Sequence, residues 1–155
     1  MFHAEDRLDR RRYHVVSEGA VFHDSIADCV KASDVVITMV GFPKDVEEVY
    51  FTPGAILDNA AKDTLLIDMT TTSPKLSERI YAEAKARGIS ALDAPVSGGD
   101  SGAKAGTLSI MVGGDREAFD GCQDVLAAMG VCMISMEGYE ADDLLGTLAK
   151  KSESK

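Results

Sequence analysis

Three short segments rich in glycine, hydroxyl and proline residues are the parts of this sequence best suited to bind a small molecule. They are residues 41–43 (GFP), 70–74 (TTTSP) and 94–99 (APVSGG). None contains an ionisable side chain, so a ligand held here would be bound by backbone N–H groups and hydroxyls and not by ion pairs. Turns between strands and helices need the same residue types for conformational reasons. From the residues alone, ligand binding and plain turn formation are equally good interpretations.

Sharper motifs for phosphate binding, metal binding or nucleophilic catalysis are missing. No two of the 14 glycines are separated by a single residue, which excludes G-x-G-x-x-G, and the P-loop pattern is absent as well. The histidines and cysteines show neither metal-ligand spacing nor a C-x-x-C pair; they are His3, His14 and His23, and Cys29, Cys122 and Cys132. We therefore predict no metal site, and we expect the cysteines to be reduced, buried and structural.

Apolar runs of two kinds alternate along the chain. Residues 35–40 (VVITMV) and 65–67 (LLI) are nearly continuous in aliphatic side chains, which is typical of strands buried on both faces. After the helix-start pair Ser73-Pro74, apolar residues recur at helical spacing up to Gly88. The same reasoning predicts helices at 25–31, 44–51, 55–61 and 115–130, strands at 89–92, 107–112 and 131–136, and a small-residue loop up to residue 106.

The order of these elements predicts the fold class. Strand, helix, strand, helix, strand is the repeat of a doubly wound sheet with right-handed crossovers. We therefore predict an α/β fold whose sheet is mostly parallel. Its strands at 35–40, 65–67 and 89–92 would deliver the three candidate binding segments to one sheet edge, where open parallel sheets bind ligands.

Composition limits the other classes of function. The 155 residues are 45% hydrophobic and 27% charged, which suits one domain with a single core. A net charge of −10 argues against nucleic-acid or membrane-surface partners, and no apolar run approaches the ~20 residues needed to cross a bilayer. The charged N-terminus does not have the pattern of a signal peptide. We predict a cytoplasmic protein.

Three stretches of the sequence resemble the middle of the β-hydroxyacid dehydrogenases, a family that includes 3-hydroxyisobutyrate dehydrogenase and tartronate semialdehyde reductase and is related to 6-phosphogluconate dehydrogenase. They are ASDVVITMVGFPKDVEEVYF, LLIDMTTTSPKLSERIYAEAKARGISALDAPVSGGDSGAKAGTLSIMVGGD and FDGCQDVLAAMG. DAPVSGG is the most specific element. The resemblance covers roughly residues 15–130 and implies the second half of an NAD(P)-binding Rossmann domain.

The resemblance also implies where the cofactor, NAD or NADP, would lie. Val40 and Gly41 correspond to turn residues that pass along the dinucleotide, and Thr71 corresponds to a threonine beside the nicotinamide. Asp45 stands where some members have a cofactor-contacting asparagine, and this change puts that contact in doubt.

The substrate implied by the resemblance is a small 3-hydroxy acid or its semialdehyde. Ser97, Gly98 and Gly99 match the loop that holds the substrate carboxylate through a hydroxyl and backbone N–H groups. The alternative for these three residues is a plain tight turn, which we rank below substrate binding.

Two departures from the family pattern shape the functional hypothesis. The strand, G-x-G-x-x-G turn and helix that open the family's domain would precede residue 1. The position of the family's catalytic lysine falls near Gly146 or Thr147, and no asparagine follows the nearby Lys150. We therefore expect a partial Rossmann-like fold, truncated at both ends and without a catalytic residue.

The leading hypothesis is a fragment of an NAD(P)-dependent β-hydroxyacid dehydrogenase that is inactive alone. The alternative is a non-catalytic dinucleotide-binding or interaction domain, which could self-associate through an exposed sheet edge. In either case we expect a poorly ordered segment at 1–14, a partial Rossmann-like domain at 15–136 and a divergent tail at 137–155.

Overall fold

A computed structural model describes residues 14–128 of the chain. From residue 26 onward the helices are, in order, α1 (Ile26–Lys31), α2 (Pro43–Phe51), α3 (Ile56–Asn59), α4 (Pro74–Ala86), α5 (Gly99–Ala105) and α6 (Arg116–Ala128). The strands are β1 (Val35–Thr38), β2 (Leu65–Asp68), β3 (Ser90–Asp93), β4 (Val96–Ser97), β5 (Ser109–Ile110) and β6 (Gly113–Gly114). The predicted α/β class is confirmed.

The main sheet has four strands in the order β1-β2-β3-β6. The pairs β1–β2 and β2–β3 are parallel, and β6 joins β3 antiparallel. The register aligns Thr38 with Asp68 and Asp68 with Asp93, so three polar residues end the three parallel strands side by side. The sheet is mostly parallel, as predicted.

Helices cover the sheet on both faces, which makes the fold doubly wound. On one face, Val36, Leu66 and Ala91 pack with buried side chains of α1 to α4, among them Tyr50 and Ile80. On the other face, strand residues including Leu65, Ile67 and Leu92 pack with Cys122 and Leu126 of α6. Each fully buried aliphatic or aromatic side chain contributes about 1.5–3 kcal/mol of transfer free energy to this core.

Helix α4 follows its sequence signals closely. The Ser73 hydroxyl caps the first turn by accepting from the Leu76 N–H at 3.3 Å, and Pro74 occupies the first helical position. Ile80 and Ala84 of the apolar stripe are buried. Arg87 pairs with Glu83 at 2.5 Å on the outer side. Exposed pairs of this kind contribute only about 0.3–0.5 kcal/mol, so packing and the cap hold the helix.

The prediction that the run at 35–40 is buried on both faces is wrong for β1. Val36 and Thr38 are buried, but Ile37 is 41% exposed, and just beyond the strand Met39 is 69% exposed. Within the described residues β1 pairs only with β2 and is an edge strand. The continuous apolar run at 35–40 predicts burial on both faces, but in this edge strand the face that carries Ile37 is partly exposed.

The segment after residue 98 differs most from the prediction. The expected loop up to residue 106 is helix α5, which Gly106 closes in the left-handed conformation at φ +66°. The expected strand at 107–112 is only β5, which pairs antiparallel with β4 in a separate two-stranded sheet. Strand β6 was not predicted, because its two glycines carry no side-chain pattern.

Other predictions have mixed outcomes. The helix expected at 55–61 is the single turn α3. Cys122 is buried as predicted, but Cys29 is exposed, because it lies on the outer side of the short helix α1. The strand expected at 131–136, Cys132, and the segments at 1–13 and 137–155 lie outside the described residues. In the described range, no helix is long and apolar enough to cross a bilayer.

Candidate functional site

The three candidate binding segments begin at the carboxyl ends of β1, β2 and β3, which end in the same register. Backbone hydrogen bonds extend the ladder past the strand ends. The Met69 N–H donates to the Thr38 carbonyl at 2.8 Å, and the Ala94 N–H donates to the Asp68 carbonyl at 2.7 Å. The sheet therefore brings the starts of all three segments to one edge, which we call the rim (residues 39–43, 69–74 and 94–99).

The first two segments of the rim are tied together directly. The Val40 N–H donates to Thr70 Oγ1 at 3.0 Å. Gly41 follows in an exposed position, and a Cβ there would lie 3.3 Å from Asp45 Oδ2. That same oxygen accepts from the Phe42 N–H at 3.0 Å at the start of α2. Asp45 is therefore occupied in holding the turn, which fits the doubt about a cofactor contact at this position.

The second segment offers two neighbouring threonines of different character. Thr71, the residue matched to the nicotinamide contact, is exposed. Thr72 Oγ1 is buried and has no hydrogen-bond partner among the described residues. A buried hydroxyl without a partner is uncommon and costs free energy unless a ligand or water satisfies it. The sequence analysis missed Thr72; its only signal was its place in the run TTTS.

The third segment turns away from the main sheet. Ser97 pairs with Ser109 in the small β4–β5 sheet, and Gly98 and Gly99 then adopt φ values of +124° and +59°. A Cβ at Gly98 would lie 3.1 Å from Leu108 Cδ2, so both its backbone conformation and its packing require glycine. Ser97, Gly98 and Gly99 are exposed. No hydrogen bond in the described range joins them to Gly41 or Thr71.

A buried polar row lies directly beneath the rim. Thr38 Oγ1 donates its single hydrogen to Asp68 Oδ1 at 3.0 Å. The Tyr50 hydroxyl lies 2.9 Å from Thr38 Oγ1 and therefore donates to it. The Thr70 N–H also donates to Asp68 Oδ1, at 3.1 Å. Burial raises the pKa of Tyr50 far above its ordinary value, which keeps this hydroxyl a donor. The row fixes the strand ends that carry Val40 and Thr71.

Asp93 continues this row on β3. Its Oδ1 accepts from Ser77 Oγ of α4 at 3.1 Å. Burial raises the pKa of the Asp93 carboxyl, the Ser77 hydrogen bond opposes that rise, and the negative charge of Asp68 adds to it. Among the described side chains, no group of three or more histidine, cysteine or acidic residues is placed to hold a metal ion.

Comparison with known proteins identifies the family. Residues 3–138 match the family described as the NAD binding domain of 6-phosphogluconate dehydrogenase. The chain belongs to this family. The match spans most of the 155 residues, and it agrees with the doubly wound sheet and its rim at the carboxyl ends of the strands.

Individual relatives agree with this assignment. An uncharacterised oxidoreductase, YkwC of Bacillus subtilis, is 49% identical over 124 residues, which are 80% of this chain and 43% of that protein. The 3-hydroxyisobutyrate dehydrogenase of Pseudomonas aeruginosa is 41% identical over 116 residues, 75% of this chain and 39% of that protein. A structure of Mycobacterium tuberculosis 3-hydroxyisobutyrate dehydrogenase with L-serine superposes with a TM-score of 0.67 at 38% identity, covering 74% of this chain and 38% of that one.

These matches confirm the Rossmann-like fold and membership among the NAD(P)-dependent hydroxyacid dehydrogenases. The chain spans about two fifths of the length of the curated relatives it matches. The family is described as NAD-binding, and a structure of Psf3 with NADP⁺, 25% identical to this chain, superposes with a TM-score of 0.76, so the cofactor is NAD or NADP. The rim fits such a group because it combines the Thr72 hydroxyl, which has no partner among the described residues, with an exposed glycine turn.

Proposed function

We propose that this chain supplies part of the nicotinamide and substrate cradle of a β-hydroxyacid dehydrogenase and does not catalyse turnover alone. The observation that carries the proposal is the common register of Thr38, Asp68 and Asp93, which sets the starts of the three rim segments side by side. Ligand binding at this edge is general for open parallel sheets.

In the proposed cofactor contact, Val40 and Gly41 lie along the dinucleotide and Thr71 lies beside the nicotinamide. The Val40 N–H is already engaged by Thr70, so Val40 would contact the cofactor through its side chain or carbonyl, and Gly41 through its open backbone. Thr72 Oγ1 is a further candidate, because it is buried and has no protein partner among the described residues. Binding would be weak, because the sequence has no G-x-G-x-x-G turn to hold the pyrophosphate.

In the proposed substrate contact, Ser97, Gly98 and Gly99 hold the carboxylate of a small 3-hydroxy acid. The positive φ values at Gly98 and Gly99 turn the backbone sharply, and all three residues are exposed. A hydroxyl and backbone N–H groups are suitable donors to a carboxylate. The relatives named for 3-hydroxyisobutyrate, and the one solved with L-serine, support this class because both molecules carry a carboxylate and a 3-hydroxyl.

The proposal that the chain is inactive alone rests on what the three candidate segments contain. Bound nicotinamide would supply the hydride acceptor or donor, while the alcohol proton needs a separate acid or base. Residues 41–43, 70–74 and 94–99 include no ionisable side chain. These segments can position and orient ligands, but they cannot take the proton.

The test combines turnover with binding. The purified 155-residue chain is expected to form no NADH or NADPH from 3-hydroxyisobutyrate, with the Pseudomonas enzyme as positive control. In NMR titrations, NAD⁺ or NADP⁺ at millimolar concentration should shift the amides of Gly41 and Thr71. Thr71→Val should weaken binding about fivefold, the worth of roughly one hydrogen bond, whereas the exposed control Thr52→Val should not. Robust turnover, or shifts confined to other regions, would overturn the proposal.

A second candidate function, self-association, is favoured by the uncovered edge of the sheet. Beside edge strand β1 the apolar side chains of Ile37, Met39 and Phe42 are exposed, Phe42 to 71%. An edge strand with apolar neighbours is a template for pairing with another chain. We propose a second copy of this chain as the occupant.

Sedimentation velocity across a concentration series tests this second candidate. The wild-type chain is expected to shift from monomer toward dimer as concentration rises, and Met39→Glu is expected to hold it monomeric, because a charge cannot be buried there without cost. Val21→Glu is the matched control, since Val21 is equally apolar and exposed but lies before α1. A wild-type monomer at every concentration, or equal effects of both variants, would contradict the proposal.

We also propose a location in the cytoplasm, where the cysteine thiols of this chain would stay reduced.

A further inference from the structure

A cavity of about 400 Å³ lies between α4, the end of β3 and β6. Its lining contains no residue of the rim segments, although two lining residues, Asp68 and Asp93, belong to the polar row beneath the rim. Ile80 and Ala91 give it an apolar side. Four acidic residues also line it, and none of its lining residues is basic; the acidic residues are Asp68, Glu78, Asp93 and Asp115.

Asp68 lines this cavity and has one carboxyl oxygen without a hydrogen-bond partner among the described residues. The residue is only 3% exposed, and its Oδ1 accepts from Thr38 and Thr70. Its Oδ2 is buried and has no hydrogen-bond partner among the described residues. A buried carboxyl oxygen without a donor is costly, and a bound donor would remove that cost. Since Oδ1 is taken, Oδ2 is the oxygen left for a ligand.

Asp93 adds a second carboxyl group next to it. The two residues are aligned in the β2–β3 register, and among the described side chains the Ser77 hydroxyl donates to Asp93. None of the described ion pairs involves either residue. By contrast, Asp115 at the edge of the cavity is already paired with Lys85 at 3.2 Å and accepts from the Tyr81 hydroxyl at 2.8 Å. Among the described residues, the lining carboxyl groups without an ion pair are therefore those of Asp68 and Asp93 and, at the exposed edge, Glu78.

The ligand class follows from the cavity's shape and from the carboxyl oxygens that accept hydrogen bonds there. The described side chains form no cluster of three metal-ligating groups, which disfavours a bare metal ion. The volume lies within the range of small-molecule sites, and one side of the cavity is apolar. We propose that this cavity binds a small organic ammonium, with the ammonium at Asp68 and Asp93 and the apolar body against Ile80 and Ala91.

Benzylammonium and its neutral analogue benzyl alcohol are suitable matched probes, because they differ chiefly in charge. By calorimetry and NMR on the full chain, benzylammonium is expected to bind saturably and to shift Asp93, Ser77 and Gly113. Benzyl alcohol should bind at least about tenfold more weakly, which is the lower end for a hydrogen bond to a charged group. Asp93→Asn, which keeps an oxygen acceptor for Ser77, should weaken benzylammonium binding by a similar factor.

Two further variants keep the test decisive. Glu78→Gln, at the exposed edge of the cavity, should weaken binding less than Asp93→Asn and serves in its place if that variant does not fold. Asp100→Asn is the matched control, because Asp100 is an exposed carboxylate paired with Lys104 on α5, away from the cavity; its affinity should stay within about twofold of the wild type.

Four other outcomes would overturn the proposal. Equal binding of benzyl alcohol would show that charge is not recognised, and shifts spread over the acidic surface would show nonspecific attraction. Displacement of benzylammonium by Mg²⁺ alone at the same residues would indicate a metal site. Competition by NAD⁺ would make the cavity part of the dinucleotide cradle, whereas a failure of NAD⁺ binding at Gly41 and Thr71 would leave this inference standing.

Discussion

Replacing Asp68 by alanine is expected to lower the free energy of unfolding by about 2–4 kcal/mol. The change removes the acceptor of the Thr38 hydroxyl and of the Thr70 N–H, both of which are buried. Each buried donor left without a partner costs about 1–3 kcal/mol, and loss of the unpartnered Oδ2 recovers part of the total. Urea denaturation followed by circular dichroism would measure the difference.

The matched change Asp68→Asn separates hydrogen bonding from charge. Asparagine keeps an oxygen at the Oδ1 position for both donors and removes the buried negative charge, so we expect a change within about 1 kcal/mol of the wild type. Asp124→Ala, at an exposed position of α6, controls for the loss of a carboxylate and should stay within about 0.5 kcal/mol. If Asp68→Asn destabilises as much as Asp68→Ala, the polar row does not act through its hydrogen bonds.

For Asp68, the sequence predicted the position in a strand but not the burial or the hydrogen-bond partners. Its position after the apolar run at 65–67 correctly places it at the carboxyl end of a parallel strand. The pattern cannot show that it is buried and shared by Thr38, Thr70 and, through Thr38, Tyr50, because those contacts join residues up to 30 positions apart. Strand ends could be predicted because they depend on local apolar runs. The network beneath them depends on tertiary packing.

Helices α4 and α5 show the same contrast between local and distant causes. Helix α4 has its signals within its own sequence: a serine cap, a proline, an apolar stripe and a terminal glycine. Helix α5 consists mainly of small residues that are typical of loops, and because its glycines disfavour a helix, the sequence pattern did not predict one. Gly102 is buried there, and a Cβ at this position would lie 3.3 Å from Leu108 Cδ2. The packing of Leu108, which lies beyond the end of the helix, accounts for that glycine.

Some features of the candidate site could likewise be predicted from the sequence, and others could not. It could be predicted that the segments after β1, β2 and β3 start at one edge, since the carboxyl ends of parallel strands lie at the same edge of a sheet. The roles of Val40, Gly41, Thr71, Ser97, Gly98 and Gly99 remain predictions. Thr72 was missed because burial, and not residue type, distinguishes it from Thr71. Exposure of one face of β1 could not be predicted either, because the run itself does not show which helices cover it.

Gly114→Ala is expected to be the most damaging glycine substitution in the described structure, with a loss of about 2–4 kcal/mol in the free energy of unfolding. Gly114 has φ +144°, and a Cβ there would lie 2.7 Å from Leu92 Cδ2 and 3.0 Å from the Ala91 carbonyl oxygen. The backbone conformation alone costs an L-residue about 1–2 kcal/mol, and forcing a group into a packed strand pair adds about 1–3 kcal/mol.

Two matched glycines separate these causes by the same denaturation measurement. Gly113→Ala should cost under about 1 kcal/mol, because Gly113 has no positive φ and its Cβ would lie 4.0 Å from the nearest atom, the Asp93 carbonyl oxygen. Gly54→Ala should show the conformational cost alone, since φ is +81° there but the space is open. If Gly114→Ala costs no more than Gly54→Ala, β6 does not pack against β3 at this distance. Because Gly113 and Gly114 also line the acidic cavity, loss of their pairing would then remove one of its walls as well.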